Sequence, residues 1–349
     1  MKIHFLNSLR SSVLAGALLV APALLHADPL AEIAGFSSLG KIDTAKLEKG
    51  EIISKHSAVL AGIARGQCVE SAFLVDAPLE KTVDSLREWN GSGHSDLKVY
   101  LHDDINGAPS PASFKKLASA PNNEVVRAFV SETEKLGSSA ADLQLNSAEV
   151  QPVAAGGGGT VPPGVVNFWS ALLEKRARAY LAGGLPAQPP YTLAGEKISA
   201  AEEVASLLKT QPKIRSRFAG ILDAAGVSGK PSGKVSFYWE LLHSQGEGGT
   251  SLAAISLGSS LVSSNGKDGV QAFDLQYYST GDYFTLLTLY QAWPMDVGAK
   301  HETLVWRGDL VSSGEFATLK GIERNAAGGI LAKELARVIG YFQKDTAGH

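Results

Sequence analysis

The stretch Phe73-Leu74-Val75-Asp76-Ala77-Pro78-Leu79-Glu80-Lys81-Thr82-Val83 changes its hydrophobic period half-way along. Before it, and up to Asp76, the chain alternates. Val69, Ser71, Phe73 and Val75 share one face across residues 67–76, the pattern of a β-strand with one buried side. After Asp76-Ala77-Pro78 the period is helical. Pro78 falls in a first turn, where its missing N–H costs nothing. Leu79, Val83, Leu86 and Trp89 then follow along the single stripe of an amphipathic helix. Asn90-Gly91-Ser92-Gly93 ends it, and residues 97–101 read as another short strand.

The middle of the chain is different. Residues 111–148, 164–183 and 198–225 read as helical. They are separated by the glycine run 156–159 with Pro162-Pro163, and by Pro186, Pro189 and Pro190. The glycine run lacks the lysine and strand context of a phosphate loop and reads as a connection between helices. From Val235 the period returns to two, with strands expected at 235–243, 250–262, 270–279, 282–293 and 302–312. Ser279-Thr280-Gly281-Asp282 reads as a hairpin turn and Asn265-Gly266 as a second reversal, so the strands form an antiparallel meander.

Two of these strands differ in their faces. In 270–279, Phe273, Leu275 and Tyr277 alternate with Asp274, Gln276 and Tyr278, as a sheet with one covered face requires. In 282–293, Phe284, Leu286 and Tyr290 share one side while Tyr283, Leu287, Leu289 and Trp293 share the other, so both sides are expected to be covered. The chain then closes on a helix over residues 315–344, capped by Ser313. Its stripe is Phe316, Leu319, Ile322, Ile330, Leu331, Leu335, Val338, Ile339 and Phe342. Gly328-Gly329 interrupts it at a cost of about 1 kcal/mol each relative to alanine, which calls for a close packing approach, a bend or a gap for a ligand.

At the other end, residues 1–27 carry Lys2 and Arg10, an apolar run from Val13 to Leu25, and the small-residue exits Ala21-Pro22-Ala23 and Ala27. That order is a secretory signal peptide, cut near Ala23 or Ala27. A retained membrane anchor is the competing reading. It is disfavoured because the run is about half of the roughly 20 residues a spanning helix needs. Pro22 and His26 also interrupt its far end, and no cysteine follows it to carry a lipid. No later segment is apolar enough to span a bilayer, so a periplasmic or secreted protein is expected. Residues 28–349 then form a single domain with a helical insertion at about 110–225.

The full chain has 32 basic and 35 acidic side chains, a net charge of −3. Lys2 and Arg10 leave with the leader, so the exported part is slightly more acidic. Neither value suits a polyanion-binding surface, which argues against nucleic acid. The lone Cys68 excludes an intramolecular disulfide. It sits in a strand pattern and reads as a buried thiol in preference to a nucleophile, with no basic neighbour in sequence to activate it. Compact catalytic and cofactor patterns are missing: there is no Gly-x-Ser-x-Gly elbow, and His301-Glu302 has no second histidine at metalloprotease spacing. Ser228-Gly229-Lys230 runs into Pro231, and Gly246-x-Gly248-Gly249 reads as a turn between strands. His94, Asp96, His102, Asp103 and Asp104 have metal-ligand chemistry, but read more simply as a solvated strand end. Asn90-Gly91-Ser92 matches a glycosylation acceptor.

The segment 73–83, followed by the late meander and the closing helix from Tyr283 to Phe342, resembles START-like, helix-grip proteins of the polyketide cyclase and lipid-transfer type. The resemblance covers about residues 60–105 and 233–345 and leaves 110–225 as the insertion. It implies an α+β fold in which an antiparallel sheet grips the long C-terminal helix and leaves a mostly apolar cavity between them.

Polar groups on the strands beside that cavity are candidate ligand contacts. Val235, Phe237, Trp239, Leu241 and His243 share a strand face, which puts an imidazole at the end of an apolar row. Tyr277 lies on the buried side of its strand. Leu304 and Trp306 share one face of the last strand, with Arg307 and Asp309 on the other at ion-pair spacing. Trp239, His243, Tyr277 and Trp306 are therefore the expected ligand-binding residues. For each one, a packed core with satisfied polar tips is the competing reading. Three functions stay open. The first is carriage of a hydrophobic or amphipathic small molecule without a cofactor. The second is a cyclase- or hydrolase-type enzyme with His243 as base, near Glu240 or Tyr277. The third is an envelope scaffold whose helices bind a protein partner.

Overall fold

The computed structural model describes residues 28–348, apart from 58–59, 61, 138–142, 155–157, 194, 246–250, 265–268 and 282. Residues 1–27, read above as a signal peptide, Gly156 and Gly157 of the glycine run, the Asn265-Gly266 reversal, Gly246-x-Gly248-Gly249 and Asp282 lie outside the described residues.

The chain opens with α1 (Pro29–Phe36), whose first turn is capped by the Asp28 side chain, then α2 (Thr44–Leu47) and β1 (Ile53–His56). β2 (Gly66–Val75) leads through α3 (Leu79–Glu88) and short 3-10 turns to β3 (Val99–Asp104). The insertion holds a 3-10 segment (Pro111–Ser119), α4 (Glu124–Glu134), α5 (Pro163–Gly183) and a small hairpin of β4 (Tyr191–Leu193) and β5 (Glu196–Ile198). It ends with α6 (Ala200–Thr210), α7 (Pro212–Arg217) and α8 (Ala219–Ala225). The meander β6 (Ser236–Gln245), β7 (Ser251–Ser264), β8 (Val270–Ser279), β9 (Thr285–Val297) and β10 (Lys300–Ser312) follows, then α9 (Gly314–Thr318) and α10 (Gly321–Gly348).

The fold is α+β, with eight antiparallel strands in the order β1-β2-β10-β9-β8-β7-β6-β3. The first long strand, β2, therefore pairs with the last, β10, over ten residues from Gly66↔Ser312 to Val75↔Thr303. One face of this sheet carries the inserted helices. Trp239, Leu241, Ile255, Leu257, Leu275, Leu287, Leu289, Leu304, Trp306 and Leu310 meet Phe114, Phe129, Trp169, Leu173, Leu207 and Phe218 there in one core. Each such aliphatic side chain removed from water contributes about 1.5–3 kcal/mol. The layer is tied internally by a buried ion pair, Arg176 Nη2 to Glu149 Oε2 at 2.6 Å, whose guanidinium lies 4.0 Å from the Tyr278 ring centre. The opposite face is gripped by α10. Ile339 and Phe342 pack on Phe73, Val75, Ala292 and Val305, with Leu79, Leu86 and Trp89 beside them.

Several sequence expectations change on contact with this architecture. β2 is buried at every position instead of on one side, because it lies between the inserted helices and α10. β9 begins at Thr285 and runs to Val297, beyond the expected 282–293. Within β9 the division of faces holds, with Leu287, Leu289 and Trp293 in the helical core and Leu286 and Tyr290 in the groove. Just before it, Phe284 packs on Tyr191 and Ile198 of the insertion and Tyr283 reaches Gln276 in the groove floor, the reverse of the expected sides. The closing helix is two helices. Ser313 caps α9, the chain breaks at Leu319-Lys320, and α10 restarts at Gly321, whose φ of 51° is a left-handed value suited to glycine. Gly328 and Gly329 stay inside α10. A Cβ at Gly328 would strike the Gln67 amide and the His56 ring, so the glycine marks a close approach to the sheet. Ile322 and Ile330, expected in the buried stripe, are 89% and 63% exposed, because the face that α10 buries runs through Arg324, Gly328, Leu335, Ile339, Phe342 and Thr346 and these two positions lie off it. Among the described residues of 111–148 the helical structure is the 3-10 segment and α4, and the hairpin of β4 and β5 adds strands to the expected helical layer.

Candidate functional site

α10 and α3 cover part of their sheet face, packing on β2, β10 and the Ala292 end of β9, and α3 also approaches β7. Beyond them β9, β8 and β6 stay open, and the space is a groove of about 570 Å³ reaching to β3 at the far edge. That volume lies within the range of about 300–1,000 Å³ usual for small-molecule sites. One wall offers apolar side chains, Leu86 of α3, Trp89 just after it, and Val338 and Phe342 from α10, with Ser85, Arg87, Glu88 and Asn90 beside them. The floor is largely polar, with Tyr238 and Glu240 from β6, Asp274 and Gln276 from β8, Thr288 and Tyr290 from β9, and Arg307 from β10. Leu286 adds an apolar floor residue, and His102 and Asp104 stand at the β3 edge. The cavity is thus mixed, where the helix-grip resemblance implied a mostly apolar one.

Strand alternation builds this floor. On each strand the residues of opposite parity fill the helical core, so every second side chain is left facing the groove. Register then joins neighbours. Tyr238 pairs across strands with Gly258, where a Cβ would collide with the tyrosine ring, so glycine lets the ring lie over β7. From there the Tyr238 hydroxyl donates to Asp274 Oδ1 at 2.8 Å. Gln276 Nε2 donates to Glu240 Oε2 at 3.1 Å, and the Tyr283 hydroxyl donates to Gln276 Oε1. His102 Nδ1 lies 3.0 Å from Glu240 Oε1, with its ring stacked on Tyr238 at 5.3 Å.

Arg307 and Asp309 form the same-face ion pair that their spacing suggests, but buried and not on an outer surface. Nε and Nη2 of Arg307 donate to the two Asp309 oxygens over 2.7–3.1 Å, and Thr288 Oγ1 donates to Asp309 Oδ1 at 2.9 Å. The guanidinium also sits 5.4 Å from the Tyr290 ring centre.

Titration behaviour follows from these neighbours. Burial pushes the Asp274 carboxyl up to about 7; the Tyr238 hydrogen bond opposes the rise, Glu240 adds to it, and Arg307 and His102 moderate it. Burial pulls the His102 imidazole down, but the bond to Glu240 and the charges of Glu240 and Asp104 outweigh it and leave it raised. Burial raises the Tyr290 phenol to about 12. The floor can therefore hold hydrogen-bonding groups of either sign, and Asp274 can exchange a proton near neutral pH. Among the described residues no group of three or more His, Cys, Asp or Glu side chains is placed to hold a metal. The residues with metal-ligand chemistry are engaged elsewhere: His94 with Asp345, Asp96 with Tyr341, Asp103 with Lys116 and His102 with Glu240.

No family model, curated protein or solved structure matches this chain. The reading of the site therefore rests on its own geometry.

None of the four residues expected to bind ligand lines the groove. Trp239 is fully buried against the insertion, its indole N–H donating to the Ser113 carbonyl at 2.9 Å. Tyr277 packs 4.5 Å from the Tyr180 ring on that same side, and burial raises its phenol. Trp306 stacks on Phe218 at 5.4 Å and donates to Ser37 Oγ at 3.1 Å. His243 is part-exposed near the end of β6, its imidazole lowered by burial and then by Lys98. Glu240 lies on the opposite face from it, in the groove. The groove-lining Tyr238, Glu240, Asp274 and Gln276 are the polar partners in alternating strands whose apolar members drew attention. Their signal was present. A polar face under an amphipathic helix is a cavity floor where the helix leaves it uncovered, and solvent surface where no helix crosses it.

Proposed function

We propose that this chain is an exported, START-like protein that binds an amphipathic small molecule between its sheet and its C-terminal helix, without covalent chemistry. The observation that carries this reading is the groove itself: a space of small-molecule size with apolar side chains from α10 and the end of α3 on one side and hydrogen-bonding side chains on the β-sheet floor. The antiparallel sheet gripping α10, with the insertion on its far face, is the arrangement that the resemblance of segment 73–83 implies. Export rests on the composition of residues 1–27. No helix among the described residues is long and apolar enough to cross a membrane. The test is organic extraction of the purified protein followed by mass spectrometry, beside Leu286→Trp, which fills the groove. A defined amphiphile near one equivalent in the wild type and depleted in the variant supports the reading. Protein that is empty from every expression host and growth condition contradicts it.

One observation favours a second reading, an acid–base enzyme on the same groove. Asp274 combines a hydrogen-bonded position in the groove floor with a carboxyl near neutral pH, which suits general acid–base work. Here Asp274 would take the part that the sequence suggested for His243. Conversion of the extracted molecule by wild type and not by Asp274→Asn would establish it.

A further inference from the structure

The charges of the groove floor are paired off unevenly. Arg307 is held by Asp309 through three hydrogen bonds, and His102 by Glu240 at 3.0 Å. Asp274 is left with a single bond, from the neutral Tyr238 hydroxyl to Oδ1 at 2.8 Å, and has no ion-pair partner among the described residues. Its Oδ2 accepts no hydrogen bond there and is not sealed from solvent. A carboxylate in a partly dehydrated groove with one oxygen uncommitted gains most from a charged donor, because charge-assisted hydrogen bonds are roughly twice as strong as neutral ones. On the opposite wall Leu86, Trp89, Val338 and Phe342 give the rest of such a molecule apolar surface, beside the polar Ser85, Arg87, Glu88 and Asn90 at the end of α3.

We propose that the groove selects amphiphiles with a protonated amine head, the ammonium bonding to Asp274 and the hydrocarbon lying against α10 and α3. This inference rests on the small-molecule reading above and names the class of ligand. Arg307 is felt at Asp274 as well, with Asp309 offsetting its charge through the bidentate pair, and Lys234 also lines the groove.

The test compares decylamine, decanol and decanoate, each below its micelle concentration, by calorimetric titration into wild type and Asp274→Asn. The substitution keeps an acceptor for Tyr238, and thermal unfolding of each sample checks that the variant is folded. The expected result is decylamine bound at least about tenfold more tightly than decanol, with decanoate weakest. In Asp274→Asn, decylamine affinity falls about tenfold or more while decanol stays within about threefold. Equal affinity for amine and alcohol, preference for decanoate, or an amine affinity indifferent to the substitution overturns the amine selectivity and leaves amphiphile binding standing. Failure of all three to bind overturns both.

Discussion

Asp274 holds its charge at a cost to the fold. An unfolded aspartate ionises near 3.8, while in the groove burial raises the carboxyl to about 7. Between those values the folded chain keeps a proton that the unfolded chain has lost, so the contribution of this group to stability falls as pH rises from about 4 to about 7 and is level above. Asp274→Asn has no such titration. Its stability relative to wild type should grow across that window, by about 2 kcal/mol once the partial exposure of the groove is allowed for. Urea denaturation of both proteins at pH 4, 6 and 8 measures this, and a constant difference would refute it. Part of this chemistry is legible in the sequence and part is not. Arg307 and Asp309 share a strand face by spacing alone, and they pair. Asp274 and Gln276 sit on a face that alternation marks as uncovered, and alternation cannot distinguish bulk water from a groove roofed by a distant helix.

The elements around the groove are held by contacts remote in sequence. The indole N–H of Trp89 donates to Asp345 Oδ2 at 2.8 Å, and His94 Nε2 lies 2.7 Å from the same oxygen. His94 stacks on Tyr341 at 3.9 Å, and the Tyr341 hydroxyl donates to Asp96 Oδ2 at 2.7 Å. These contacts fasten the end of α10 to the segment after α3, which borders the groove. Asp345→Ala should cost about 1–2 kcal/mol and speed amide hydrogen exchange at the end of α10 and in residues 89–97, with β7 and β8 unaffected. Uniform loss of protection would show that the contact supports the whole fold and not this latch. The existence of α10 is legible from its apolar period, but not its buried length. Ile322 and Ile330 lie off the face that Arg324, Gly328, Leu335 and Ile339 turn to the protein and stay exposed, and Gly328 lies inside the helix because its neighbour is the sheet.

At the scale of the whole molecule, the two faces of the sheet do different work. The insertion fills one face with a solid aromatic and aliphatic core, while α10 grips one end of the other and leaves the rest hollow. The meander and the closing helix are visible in sequence because their periods are local. The pairing of β2 with β10 and the choice of face for each helix are not, since they join residues more than two hundred positions apart. That is why Trp239, Tyr277 and Trp306, correctly read as inward-facing, belong to the solid side. On the function proposed above, the hollow side holds a small amphiphile. Calorimetric titration of decanol into wild type and Leu286→Trp, with equal thermal stability confirmed, tests this most directly. Saturable one-to-one binding in the wild type, weakened about tenfold or more in the variant, is the result predicted. Binding that is absent from the wild type, or equal in the two proteins, would contradict it.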